Sequence, residues 1–283
     1  MVELEKEYGG LFRAMFALQK QAKRNGRASG GPVGANSVLH TFHDGMGELT
    51  NALAERMAGR LRLNRRVESL SRAGGRWQVC LTDERIEADA VILACPSFEA
   101  AEIVGKLAPD TADSLRDIRY APVDVVCHGY RTEDIGHPLH GFGVLIPRSE
   151  GIRSLGCLWS DSIFTGQAPE GKHLLRTIIG GAHDPEVVRL SQAELDRLAF
   201  RDHQHILPIH KPPILVKTYR HPRGIAQYTL GHLQRVACTE ELERHAPGVF
   251  FTGASYRGVS INGCVKDANR VAAAFWARYG VRV

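Results

Sequence analysis

Apolar positions recur along this chain with two different periods. Residues 1–24 carry Leu4, Leu11, Met15 and Leu18 on one helical side, with Lys6, Arg13, Lys20, Lys23 and Arg24 mostly elsewhere, which predicts an amphipathic helix. Asn25–Asn36 is a glycine-rich linker. Leu49, Leu53 and Met57 predict a helix over 49–61. A β series follows: alternation over Leu61–Val67, a second alternating run over Trp77–Leu81 across a Gly74-Gly75 hairpin signal, and an apolar buried strand over Ala90–Cys95. Ser97–Leu115 reads as one or two helices punctuated by Pro109 and Asp110.

Strand-like runs then cover Val123–Tyr130, Phe142–Ile146, Ser154–Trp159 and Leu174–Ile179, separated by Gly and Pro, and predict an antiparallel sheet. Phe142, Trp159 and Phe164 would suit the wall of a cavity for a flat ligand, and equally a plain core. Ser191 with Glu194 has capping-box spacing and opens a helix to Leu207. Ile214–Tyr219 is a further strand and Glu240–His245 a further helix. The last unit is a strand, Val249–Thr252, a turn between Gly253 and Gly258, and a helix after Gly263 in which Val265, Ala268, Val271, Ala272 and Phe275 share a face. Glycines let backbone approach a cofactor edge closely, and the helix N-terminus carries partial positive charge.

Composition narrows the function classes. The 283 residues are 43% hydrophobic and 24% charged, an ordinary globular balance, with net charge +5. That charge tolerates an anionic partner but is too small and too dispersed to argue for nucleic acid. The six cysteines include no C-x-x-C and fit a reducing cytoplasm. Neither a signal-peptide pattern nor an apolar run of membrane-spanning length is present, so any membrane contact is expected to be peripheral, through Lys20, Lys23, Arg24 and Arg27. His137 with His140, and His203 with His205 and His210, match no zinc spacing, and no metal site is expected. With no G-x-S-x-G, no P-loop and no prominent acidic pair, no catalytic side chain is assigned. Cofactor chemistry remains.

The residues point to which cofactor. Gly253-Ala-Ser-Tyr-Arg-Gly258-Val-Ser-Ile-Asn-Gly-Cys264 resembles the C-terminal flavin segment of the protoporphyrinogen and coproporphyrinogen III oxidase family, within the FAD-dependent amine oxidase-like flavoproteins. The same family is resembled, in order, by Phe42–Leu49, Ala90–Pro96, Tyr120–Val123, Gly141–Pro147, Leu155–Ser160 and Gln227–His232. The resemblance implies stepwise oxidation of a porphyrinogen by FAD in haem biosynthesis, with O2 reoxidising the flavin to give hydrogen peroxide. By position, Val67, Leu233, Gly253, Val259, Ser260 and Ile261 would contact FAD, and Gly143, Leu145 and Ile178 would face the tetrapyrrole. Leucine stands at 233 where the family often has tryptophan, and Gly263, Asp267 and Ala268 replace the usual acid and Ser-Gly pair. An acid at 267 is expected to repel phosphate from the helix N-terminus.

The fold class implied is α+β. It comprises a residual helix and linker (1–36), an FAD-binding part in two pieces (37–95 and 236–283), and a substrate domain with an antiparallel sheet (96–235). Residues 1–60 hold no strand followed by G-x-G-x-x-G, the unit that meets the FAD pyrophosphate. The chain is therefore expected to be the C-terminal part of a longer, N-terminally truncated protein, cytoplasmic or peripheral to the inner face of the cell membrane, requiring the missing FAD-binding portion. The alternatives are a non-catalytic remnant that still binds a tetrapyrrole without stable FAD, and an amine oxidase-like flavoenzyme with another substrate.

Overall fold

The computed structural model describes residues 8–10, 13, 14, 16, 17 and 39–280, in two compact units divided between Leu61 and Arg62. Most of the helix expected over 1–24, and the basic cluster and linker after it, lie outside the described residues; Arg13, Ala14, Phe16 and Ala17 are helical. In the first unit, helix α1 (Gly47–Arg56) stops short of Leu61. The reason is local: Gly59 takes φ 78, a left-handed turn that ends the helix.

The second unit opens with a correction. Leu61–Val67 does not form a strand; Asn64 sits at φ 57, which breaks the extended backbone, and β1 begins at Val67. The arginines before it are held by acids instead, Arg62 by Glu84, Arg65 by Asp83 and Arg66 by Glu99. β1 (Val67–Ala73), β2 (Arg76–Leu81) and β3 (Arg85–Ala88) form an antiparallel meander. Its first turn uses Gly74 and Gly75 at φ 58 and 82, the left-handed pair a two-residue hairpin needs. β4 spans only Val91–Leu93, and Ile92 is 48% exposed, so the run over 90–95 is shorter and less buried than its apolar sequence implies. β4 pairs in parallel with β10 (Val249–Phe251). Helices α2 (Ser97–Val104) and α3 (Pro109–Arg116) pack over this region. Trp77, Leu93, Val104, Leu115, Phe251 and Tyr256 share its core.

The larger sheet is antiparallel, with β6 (Gly143–Leu145), β7 (Ser154–Trp159), β8 (Lys172–Gly180), β5 (Tyr120–Arg131) and β9 (Leu215–Ala226) as neighbours in that order. β9 runs seven residues past the expected Tyr219. It passes Pro222 because it lies at the sheet edge, where the ladder bulges between Ala121 and Val123 and proline leaves no bond unmade. Helix α4 (Gln192–Ile206) begins with the Ser191–Glu194 capping box and covers one sheet face. Beneath it Val126, Ile179, Leu195 and Ala199 form one buried cluster, and Tyr130, Leu139, Cys157, Trp159 and Leu175 another. Trp159 thus belongs to the core, whereas Phe142 is exposed.

Helix α5 (His232–His245) starts eight residues before Glu240, after Gly231 in a left-handed conformation. Helix α6 (Ile261–Tyr279) starts before Gly263, capped by Ser260 accepting from the Gly263 N–H at 3.0 Å. Among the described residues no helix is long and apolar enough to cross a membrane.

Candidate functional site

The loop between β10 and α6 is built by close backbone approach. Gly253 has φ 116, and a Cβ there would lie 3.4 Å from the Ala94 carbonyl oxygen at the end of β4. Gly258 and Gly263 touch each other: a Cβ on Gly258 would come 3.1 Å from the Gly263 Cα, and one on Gly263 would come 3.1 Å from Gly258 backbone atoms. The turn therefore lies flat against the first turn of α6, and neither glycine can take a side chain without moving the other.

Side chains from three other segments fix the loop. The Tyr228 hydroxyl donates to the Ala254 carbonyl and accepts from the Gly258 N–H, both at 2.8 Å, and its ring stacks on His232 at 3.9 Å. His232 Nε2 bonds the Tyr256 carbonyl at 2.9 Å. Ser255 Oγ lies 2.6 Å from the Tyr120 hydroxyl, which in turn accepts from the Ser97 N–H at 3.0 Å. The start of β5, the start of α2 and the flavin-like loop thus meet at one point.

Asp267 corrects an expectation. It is only 4% exposed, accepts from Thr252 Oγ1 at 2.9 Å and from Arg270 Nε at 2.7 Å, and has Arg257 at 3.6 Å. Burial alone would raise its pKa, but the bonds from Arg270 and Thr252 and the two guanidinium charges leave it below the ordinary carboxylate value. Its charge is balanced within the clamp joining β10 to α6, so it does not stand free to repel an anion at the helix N-terminus.

The positions expected to meet a flavin divide as follows. Gly253, Val259, Ser260 and Ile261 lie on the loop and its junction with α6, where Val259 and Ile261 are exposed. Leu233 is exposed in the first turn of α5, one residue after the loop-bound His232. Val67 opens β1 and packs, partly buried, against the core containing Phe251 and Tyr256. A glycine cradle edged by exposed apolar side chains fits the planar edge of a flavin. The bracing residues Tyr228, His232, Tyr120 and Ser255 were not given roles by sequence, although each lies in a stretch that carries the resemblance: Gln227–His232, Tyr120–Val123 and Gly253–Cys264.

Gly143, Leu145 and Ile178 occupy the larger sheet. Residues directly opposite in a sheet share a face, so the register sorts them. Leu145, Gly156, Ile178, Val125 and Tyr219 form one cross-strand row; Gly143, Leu158, Arg176, Cys127 and Lys217 form the next row on the same face. This face is turned away from α4 and is open, with Leu145 87% exposed. Gly143 also has a packing reason: at φ 131, a Cβ would fall 2.0 Å from the Cys157 carbonyl oxygen.

The opposite face holds a buried polar cluster. His203 Nδ1 lies 3.0 Å from the Tyr130 hydroxyl and 3.4 Å from His128 Nδ1, while its Nε2 meets Thr177 Oγ1 and Cys157 Sγ. Burial lowers His128 to about 4 and His203 to about 3, and raises Cys157 to about 12. Neutral imidazoles and a protonated thiol sealed under a helix are structural groups. Among the described residues no set of three or more His, Cys, Asp or Glu is placed to hold a metal.

Comparison with known proteins bears on this loop and sheet together. The family described as flavin containing amine oxidoreductase matches residues 2–275. The chain belongs to that family. Protoporphyrinogen oxidase of Nicotiana tabacum chloroplasts is 29% identical over 97% of the chain and 53% of its own length. Coproporphyrinogen III oxidase of Bacillus subtilis is 30% identical over 71% of the chain and 43% of its own length. A crystal structure from Exiguobacterium sp. 255-15, described as a candidate protoporphyrinogen oxidase, superposes with TM-score 0.76 at 24% identity, covering 97% of this chain and 57% of that one. The family and this shared fold establish a mixed helix and sheet flavoprotein architecture. The chain spans about half the length of these relatives.

Proposed function

We propose that the chain supplies one side of an FAD site and the substrate sheet of a porphyrinogen oxidase acting on protoporphyrinogen IX or coproporphyrinogen III. The observation that carries this reading is the placement of Gly143, Leu145 and Ile178 on one open sheet face, in a sheet whose central strand starts at Tyr120, bonded to the flavin-like loop through Ser255. Names of the tobacco and Bacillus relatives support the substrate class. FAD, when bound, would accept hydride and pass electrons to O2. The chain's own residues bind and orient: Gly253, Gly258 and Gly263 admit the ring edge, Val259, Ile261 and Leu233 exclude water from it, and the Tyr228 and Asp267 contacts hold the loop rigid. On the sheet, Leu145, Ile178 and Leu158 offer an apolar floor for a macrocycle. No side chain is assigned as acid, base or nucleophile.

The test is to co-express the chain with the N-terminal FAD-binding portion of the tobacco relative, add FAD, record the flavin absorption bands after removal of free cofactor, and follow porphyrin fluorescence as porphyrinogen is supplied. Flavin bands retained by the pair, with fluorescence rising faster than with either part alone, are expected under the reading. A folded, associated pair giving neither would refute it. A second reading, a tetrapyrrole-binding module without stable FAD, is favoured by one feature: both rows of the open face lie within the chain and need no flavin to form. Porphyrin binding by a colourless chain is its signature.

A further inference from the structure

Arg176 stands at the middle of the open face, on β8 between Leu158 and Cys127, with Ile178 beside it on the same strand. Its side chain is half-buried, and its Nε is sealed from solvent without a hydrogen-bond partner. Among the described residues its guanidinium makes no hydrogen bond and no ion pair. Its guanidinium is near enough to act electrostatically on the Cys127 thiol.

This is unlike the other embedded charges. Asp124 is paired with Arg220, Asp134 with Lys211, Arg153 with Asp184, and Asp267 with Arg257 and Arg270. A cation partly cut off from water and given no counter-charge is not stabilising, so the fold gains nothing in stability from keeping one. An arginine whose stem merely covered Cys127 would carry its whole head into water, and here the inner guanidinium nitrogen is shut off from it. Neither of the two rows contains an acid, and Lys217 lies at the end of the same row, two strands from Arg176, with its ammonium over the Tyr219 ring. The charge is thus basic, and the surroundings are Leu158, Ile178, Val125 and Leu145.

We infer that Arg176 is a carboxylate-binding residue of the substrate face: it receives a peripheral propionate of the tetrapyrrole, with Lys217 adding positive charge one strand beyond Cys127. The inference rests on the porphyrinogen reading and adds to it the group that makes the ligand's acidity, and not only its flatness, a condition of binding. A planar guanidinium offers two parallel donors that match a carboxylate, which an ammonium cannot reproduce.

The experiment uses the full chain and three probes: coproporphyrin III with four carboxylates, protoporphyrin IX with two, and protoporphyrin IX dimethyl ester with none free. Binding is followed by the Soret band and by tryptophan quenching, in wild type, Arg176→Leu and Arg176→Lys. Arg176→Leu is expected to weaken both free acids about ten-fold, equivalent to about 1.4 kcal/mol, while leaving the ester unchanged. Arg176→Lys should fall between. The thermal midpoint of Arg176→Leu should equal or exceed that of wild type, because an unpaired cation is removed; should that variant not fold, Arg176→Gln takes its place in the titrations.

If wild type binds all three probes and Arg176→Leu binds the free acids as tightly, the assignment of Arg176 fails while the porphyrin reading stands. A parallel loss of ester binding would also overturn it, by showing a packing role. If wild type binds none of the probes, the porphyrin reading itself fails and takes this inference with it.

Discussion

Acidification should unfold this protein through the face of the sheet opposite the open one. His128 and His203 are both fully buried, 5.1 Å apart between ring centroids, and burial holds them neutral, from an ordinary 6.5 down to about 4 and about 3. The groups around them are Tyr130, Cys157 and Thr177, with Asp196 the one charge raising His128. In the unfolded chain both imidazoles take up protons below 6.5, whereas the folded chain refuses them until much lower pH. The stabilising effect of keeping them neutral is therefore complete above 6.5 and lost as pH falls towards 4 and then 3. At about pH 5 each imidazole has cost about 2 kcal/mol relative to neutral pH, a figure set by the unfolded value and insensitive to how far below 5 the folded value lies. Together they cost about 4 kcal/mol, a large share of the about 5–15 kcal/mol that a domain has. Urea denaturation at about pH 7.5 and about pH 5 measures this difference, and His203→Gln should roughly halve it. Titrating carboxylates elsewhere contribute equally to both proteins and cancel in the comparison. A variant with the wild-type pH dependence would refute the claim that His203 is buried neutral.

Asp267→Asn should be strongly destabilising, by about 3 kcal/mol, since it removes the buried charge shared by Arg257 and Arg270 and leaves Arg257 only its pair with Glu240 and Arg270 only the Phe251 carbonyl; the fall in thermal midpoint measures it. Gly143→Ala should cost at least about 2 kcal/mol in urea, because a methyl 2.0 Å from the Cys157 carbonyl oxygen cannot be accommodated without parting β6 from β7.

The legible parts of the fold were those written in local chemistry. Ser191 and Glu194 name a helix start by their spacing alone, and Gly74-Gly75 names a hairpin, because each signal depends on three or four neighbouring residues. β7 matched its expected bounds to the residue for the same reason. The first turns of α5 were missed because no apolar stripe marks them: its buried positions are His232, Val236, Thr239 and Leu242, two of them polar. The continuation of β9 was missed because Pro222 and Gly224 read as breakers, and only pairing with the bulged β5 tolerates them. At the site, sequence flagged glycines 253, 258 and 263, yet contact between Gly258 and Gly263 is a tertiary fact. Asp267 read as an obstacle for the same reason, since nothing local shows that Thr252, fifteen residues away, and Arg257 turn towards it.

Arg176 and Thr177 show how much depends on register. They are adjacent in sequence and on opposite faces, Arg176 among the apolar residues of the open face and Thr177 bonded to His203 beneath α4. A slip of one residue in β8 would drive the guanidinium into the buried imidazole pair and turn Thr177 outward, destroying both faces at once. Two glycines oppose such a change. Gly143 and Gly156 bring β6 and β7 so close that a Cβ on Gly156 would lie 2.6 Å from the Val144 carbonyl oxygen, and no residue with a side chain can shift into either place. β7 in turn is aligned on β8 through Cys157 opposite Thr177 and Leu158 opposite Arg176. Gly143, the position the resemblance sets against the tetrapyrrole, therefore has a packing requirement of its own: the close approach of β6 to β7 admits only glycine there, whatever the open face receives.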